Sequence, residues 1–118
     1  MLEIHQKTDF VGYEDKIARI DAEFPAVIES FSDGKVDGYC IFSIEGDEVC
    51  IYDTGYGNDI ALCDGLVRSA LFKASMMGID KARFFTDDEN IKKLRLCDEN
   101  GVLGSIQDIM GGCANCHK

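Results

Sequence analysis

The residue types most able to do chemistry are concentrated in a few places, and the sharpest is the terminal run Cys113-Ala114-Asn115-Cys116-His117. Two thiolates separated by two residues can reach one metal ion from a turn, and Gly111-Gly112 just before them lets the backbone curl round it. One such pair is half of a tetrahedral site. A zinc ion or iron–sulfur cluster on Cys113, Cys116 and His117 therefore needs further ligands, from Cys97, His5, another cysteine or a second subunit. The same spacing also fits a redox dithiol, a c-type haem attachment sequence, or a terminus with no function of its own. Haem attachment weighs least, because it takes place outside the cytoplasm and the start of the chain lacks the basic-then-apolar layout of an export signal.

Other constellations are plainer. Met76-Met77 fits core filling, and Asp87-Asp88-Glu89 fits a solvated helix start supported by the helix dipole. Lys92, Lys93 and Arg95 form a small basic face. Gly55 and Gly57 could bring backbone close to a ligand. The chain has no Ser-His-Asp set, no P-loop and no His-Glu-x-x-His.

The elements that must position these residues follow from periodicity. Leu2–Gln6 alternates as a short strand, and Tyr13–Phe24 places Ile17, Ile20 and Phe24 at helical spacing before the only proline, Pro25. Three strands are expected over Ala26–Phe31, Val36–Ile44 and Val49–Asp53, with turns at Ser32–Lys35 and Glu45–Glu48. The last two are apolar on both faces, so both faces need cover by helices. Ala61, Leu62, Leu66, Val67, Ala70, Leu71, Ala74 and Met77 then form one broad apolar helical face. Asn58 or Asp59 can cap its start and Gly78 its end. A strand over Lys81–Phe85, a helix over Glu89–Cys97, a short strand at Val102-Leu103 and a helical turn over Ser105–Met110 complete the expectation. The fold class is α/β (α+β): a mixed, mainly antiparallel central sheet with helices on both faces.

From Ala26 onward this order resembles the GNAT superfamily of N-acetyltransferases. The most specific stretch is Asn90–Val102, where Asn90 stands where the family opens its fourth helix and Gly101 where its Gly-aromatic pair begins. Val102 replaces the usual aromatic. The family binds acetyl-CoA at the turn before its long helix, with an Arg or Gln, two residues, Gly, one residue, then Gly or Ala. Here the corresponding stretch is Asn58-Asp59-Ile60-Ala61-Leu62-Cys63: Asn58 stands for Arg/Gln, Ala61 for the first Gly and Cys63 for the last small residue. The resemblance thus implies acyl-CoA at Gly57, Asn58, Ile60, Ala61, Leu62, Cys63 and Asn90, in a degenerate loop to which Asp59 adds a like charge. It implies a proton donor for the departing thiolate at Cys97, where the family often has tyrosine, and a general base for an amine acceptor at Asp53 or Glu48. Its alternative is a non-catalytic GNAT-like module whose function lies in the metal-binding tail, or a homodimeric regulatory domain. The chain is short for the family, lacking most of its second helix.

Size and charge bound the partners. The 118 residues make one GNAT-like domain over 1–110 with a cysteine-containing tail over 111–118, without repeats or linkers. Residues 1–60 hold 14 acidic and 4 basic side chains, and residues 61–118 hold 8 of each, so the whole net charge of −10 lies in the first half. A chain this acidic, with no Lys/Arg run, is a poor ligand for nucleic acid or an anionic membrane. No apolar run approaches the ~20 residues that span a bilayer. A cytoplasmic location is expected, with a bias toward cationic acceptors.

Overall fold

The two apolar-on-both-sides strands lie at the centre of a six-stranded sheet. A computed structural model describes residues 2–110. Its elements are β1 (Leu2–Gln6), α1 (Glu14–Ala18), β2 (Pro25–Ser32), β3 (Lys35–Glu45), β4 (Glu48–Gly55), α2 (Ile60–Met76), β5 (Lys81–Phe84), α3 (Glu89–Lys93), β6 (Val102–Leu103) and α4 (Gln107–Met110). The strands lie in sequence order. Every neighbouring pair is antiparallel except β4 and β5, which run parallel because α2 carries the chain back across the sheet.

The turns have local causes. Asp33-Gly34 joins β2 to β3 with both residues at positive φ (54° and 82°), the geometry a two-residue hairpin favours. Asp59 caps α2 by accepting the Leu62 N–H at 3.1 Å, and Gly78 ends it at φ 85°.

Two helices are shorter than their periodicity suggests. The Tyr13–Phe24 stretch is helical only over α1, and Phe24 is 72% exposed, so it adds nothing to a helical packing face. The Glu89–Cys97 stretch ends at Lys93, where Arg95 turns left-handed (φ 61°) and the Leu96 N–H returns to the Ile91 carbonyl at 3.1 Å. That turn delivers Leu96 into the core with no exposure. Tertiary burial overrides helix propensity there.

The sheet divides two cores. On one side α2 packs Leu62, Cys63, Leu66, Val67, Ala70, Leu71 and Ala74 against Ile28, Cys40, Phe42, Val49 and Ile51, closed by Ile91, Leu96 and Ile106. On the other side Tyr13, Ile17 and Ile20 cover Val27 and Ile41. Gly38 admits α2 to the sheet, since a Cβ there would lie 2.8 Å from Leu66 Cδ1. Among the described residues no helix is long and apolar enough to cross a membrane.

Candidate functional site at the β4–β5 fork

β4 and β5 pair only from Glu48↔Lys81 to Ile51↔Phe84, and one last bond runs from the Phe85 N–H to the Ile51 carbonyl at 2.8 Å. β4 continues four residues further, to Gly55, beside β3 alone. The two parallel strands therefore part at Ile51 and leave an unpaired edge on β4. Just past that point β4 carries a bulge: Ile41 faces Asp53 and Phe42 faces Ile51, so Tyr52 is the extra residue. A bulge shifts the alternation by one. Tyr52 and Asp53 consequently both lie on the α1 face, and Thr54 returns to the α2 face.

On the α1 face the Tyr39 hydroxyl donates to Asp53 Oδ2 at 2.9 Å, and Lys16 Nζ lies 3.9 Å from the same oxygen and 5.6 Å from the Tyr39 ring centroid. Gly55 makes this possible. Its cross-strand partner is Tyr39, and a Cβ at Gly55 would sit 2.2 Å from Tyr39 Cε2. Burial, then the Asp53 hydrogen bond, raises the Tyr39 phenol well above its ordinary range. Beside this group a cavity of about 400 Å³ is lined by Arg19, Ile20, Asp21, Tyr52 and Phe85. The Tyr52 and Phe85 rings stack at 5.2 Å, and burial, with Cys50 and Glu45 adding, pushes the Tyr52 phenol up to about 12.

On the α2 face a single carboxylate spans the opening. Asp88 Oδ2 accepts the Tyr56 hydroxyl and, at 3.3 Å, the Thr54 hydroxyl, while Oδ1 caps α3 by accepting the Asn90 N–H at 2.9 Å. The Asn90 side-chain amide donates to the Tyr56 oxygen at 2.9 Å. Burial first, then Asp88, pushes the Tyr56 phenol up to about 12. Cys63, in the first turn of α2, is buried and rises to about 11, with the Tyr56 hydroxyl opposing that rise.

No protein-family model matches the sequence, and the curated proteins hold no match. Solved structures do match in shape. The chain superposes on the ribosomal-protein-S18-alanine N-acetyltransferase from Escherichia coli with a TM-score of 0.64 at 14% identity, covering 81% of this chain and 76% of that one. An aminoglycoside N-acetyltransferase in complex with CoA gives 0.60 at 15% identity, covering 83% and 92%. The PaiA N-acetyltransferase from Thermoplasma acidophilum, in complex with coenzyme A, gives 0.52 at 12% identity, over 66% of this chain and 57% of that one. The chain has the GNAT fold.

Within this GNAT fold the sequence-derived residues separate. Asp53, Asn90 and the Gly57–Cys63 turn gather round the fork, the turn leading from the end of β4 into α2. Glu48 does not: it opens β4 at the opposite end of the strand and pairs with Arg83 at 3.1 Å. Cys97 is half-buried behind α3 against the main core, and no hydrogen bond joins it to Asp53, Tyr52 or Asp88. Its thiol is raised by burial, with Lys92 opposing and Asp98 adding. Cys113, Cys116 and His117 lie outside the described residues, and among the described residues no three His, Cys, Asp or Glu side chains are grouped to hold a metal. Sequence reasoning missed Tyr56, Thr54, Tyr39 and Lys16, and treated Asp88 as solvated. The one local signal was Tyr56 standing between Gly55 and Gly57.

Proposed function

We propose that this protein is an acyl-CoA-dependent N-acyltransferase, with the acyl-CoA at the fork and an amine acceptor on the α1 face. The observation that carries the reading is the fork itself: a parallel pair that parts beside a bulge, in a chain with the GNAT fold, whose structural neighbours include complexes with coenzyme A.

The donor set fits such a ligand. The unpaired β4 edge past Ile51 offers backbone to an extended chain. The Ile60 and Ala61 N–H groups at the start of α2 have no acceptor among the described residues, and Gly57 turns the chain toward them at φ 63°. Amides at a helix start favour phosphate. Gly57, Asn58 and the Ile60 and Ala61 amides would hold the pyrophosphate end, Leu62 and Cys63 would line it with their N–H groups turned to the Asp59 carbonyl at 3.0 and 3.1 Å, and Asn90 would flank the arm. Bound there, acyl-CoA supplies an activated acyl thioester. The chain's own part is to orient and to take a proton: Asp53 holds an ammonium on the α1 face and accepts its proton, and Tyr39 fixes that carboxylate. Glu48 and Cys97 stay outside this reading.

Thermal unfolding with acetyl-CoA tests it. A ligand at about 100 times its Kd stabilises the folded state by about 2.7 kcal/mol, a rise of several degrees for a chain of this size. No rise at millimolar acetyl-CoA would overturn the reading.

A further inference from the structure

The amine nearest the proposed base belongs to the chain itself. Lys16 Nζ rests 3.9 Å from Asp53 Oδ2 and 5.6 Å from the centre of the Tyr39 ring. Asp53 is two residues past Ile51, the last β4 residue paired with β5, and the bulge turns it to the face that carries α1. We propose that Lys16 is a self-modification site, acylated in cis on its ε-amine by an acyl thioester bound at the fork.

This rests on the acyltransferase reading. It differs from it in making the chain's own side chain the acceptor. The step balances without a further reagent. The Lys16 ammonium gives one proton to Asp53, its nitrogen forms a bond to the acyl carbon, and as the carbon–sulfur bond breaks the nitrogen loses a second proton to solvent. The thiolate leaves and is protonated from solvent, and Asp53 returns its proton to solvent. The net result is an amide, a free thiol and one released proton. An amine already tethered beside the base reacts with an effective concentration no free amine matches. Acylation also removes the charge that pairs with Asp53 and lies over Tyr39, which leaves that carboxylate free for an external ammonium.

The chain contains its own control. Lys7 is built on the same plan: its Nζ is 3.8 Å from Glu29 Oε1 and 6.0 Å from the Tyr13 ring centroid, with Asp9 a second carboxylate at 3.4 Å, but Glu29 lies on β2, two strands from β4. An ion-paired lysine on an aromatic ring is common to both. Only Lys16 is at the fork.

The test is site-resolved mass spectrometry of the full chain exposed to acetyl-CoA, and separately to acetic anhydride, which needs no binding site. With acetyl-CoA, Lys16 should gain an acetyl group at least about tenfold faster than Lys7, at a rate independent of protein concentration. With acetic anhydride that preference should shrink to what their exposure sets, 44% at Lys16 against 21% at Lys7. Asp53→Asn should reduce Lys16 acetylation by acetyl-CoA to the Lys7 level without slowing the anhydride reaction. Lys16→Arg, which keeps the charge over Tyr39, should abolish the modification and leave thermal stability unchanged. Equal rates at Lys16 and Lys7, a rate that scales with protein concentration, or indifference to Asp53→Asn would overturn the proposal. Coenzyme A alone separates the two layers. If it raises the unfolding temperature while acetyl-CoA leaves Lys16 unmodified, self-acylation fails and the acyltransferase reading stands; if coenzyme A gives no rise and acetyl-CoA no modification, both fall.

Discussion

The two faces of β4 at the fork each present one carboxylate, but they satisfy it in opposite ways. On the α1 face Asp53 has a phenol and a cation, Tyr39 and Lys16, beside a cavity. On the α2 face Asp88 has only neutral donors: two hydroxyls and a backbone amide. No described cation pairs with it. The α2 start is treated the same way, since Asp59 already occupies the Leu62 amide. An incoming ammonium on the α1 face would replace like with like. An incoming phosphate on the α2 face must instead meet two carboxylates close to its amides. The fork thus favours cations on one side and resists anions on the other, so on the proposed function coenzyme affinity would be the weaker half of the site.

The largest test of that contrast is Asp53→Asn. If Asp53 takes the acceptor's proton, acyl transfer should fall by about 100-fold or more, the range for losing a general base, with coenzyme affinity unchanged. Equal losses in both would place Asp53 in coenzyme binding and erase the distinction between faces. The next effect is structural. Gly55→Ala forces a Cβ into the Tyr39 ring at 2.2 Å and should destabilise the fold by about 1–3 kcal/mol. In a Tyr39→Ala background the same change should cost little, since the clash is then gone; thermal unfolding of both single variants and the double measures the coupling.

Much of this fold is legible in the sequence because each element carries its own local signal. β1 matches its alternation at both ends, Asp59 and Gly78 bound α2 as cap and stop, and the Asp33-Gly34 pair marks its hairpin. The fork is less legible because its parts are assembled at a distance. The bulge at Tyr52 is invisible to a pattern of alternation, since it arises from the register of β3 against β4. Strict alternation would put Tyr52 and Asp53 on opposite faces, and they share one. Asp88 reads as part of a solvated helix start, and it does cap α3, but its second role comes from Tyr56 and Thr54, 32 and 34 residues earlier. The short helices fail for a related reason: the burial of Leu96 decides where α3 stops, and that requirement lies in the tertiary packing.

A smaller effect comes from the α2 face. Asp88→Asn keeps a good N-cap for α3, so stability should change little. It removes one negative charge near the proposed phosphate end, where a charge pair at ~4 Å is worth about 1 kcal/mol in water. Coenzyme A affinity, measured by calorimetry, should rise about fivefold, and the gain should shrink at high salt. A loss of affinity would mean that the Asp88–Tyr56–Asn90 group shapes the site instead of guarding it.

The smallest effect separates burial from charge on that face. Tyr56 is raised from 10.0 to about 12, mainly by burial and then by Asp88. Its uncharged form is therefore the one the fold favours. The stability it contributes is complete below pH 10 and is lost as the pH climbs from there through about 12. Phenolate absorbance should show Tyr56 titrating after an exposed tyrosine would. In Asp88→Asn the titration should move down only part of the way toward 10.0, because burial remains. A complete return to the ordinary value would show that Asp88, and not the closed packing of the fork, holds Tyr56 neutral. The α2 face would then be shut by one removable carboxylate, and its contrast with the open α1 face would rest on charge alone.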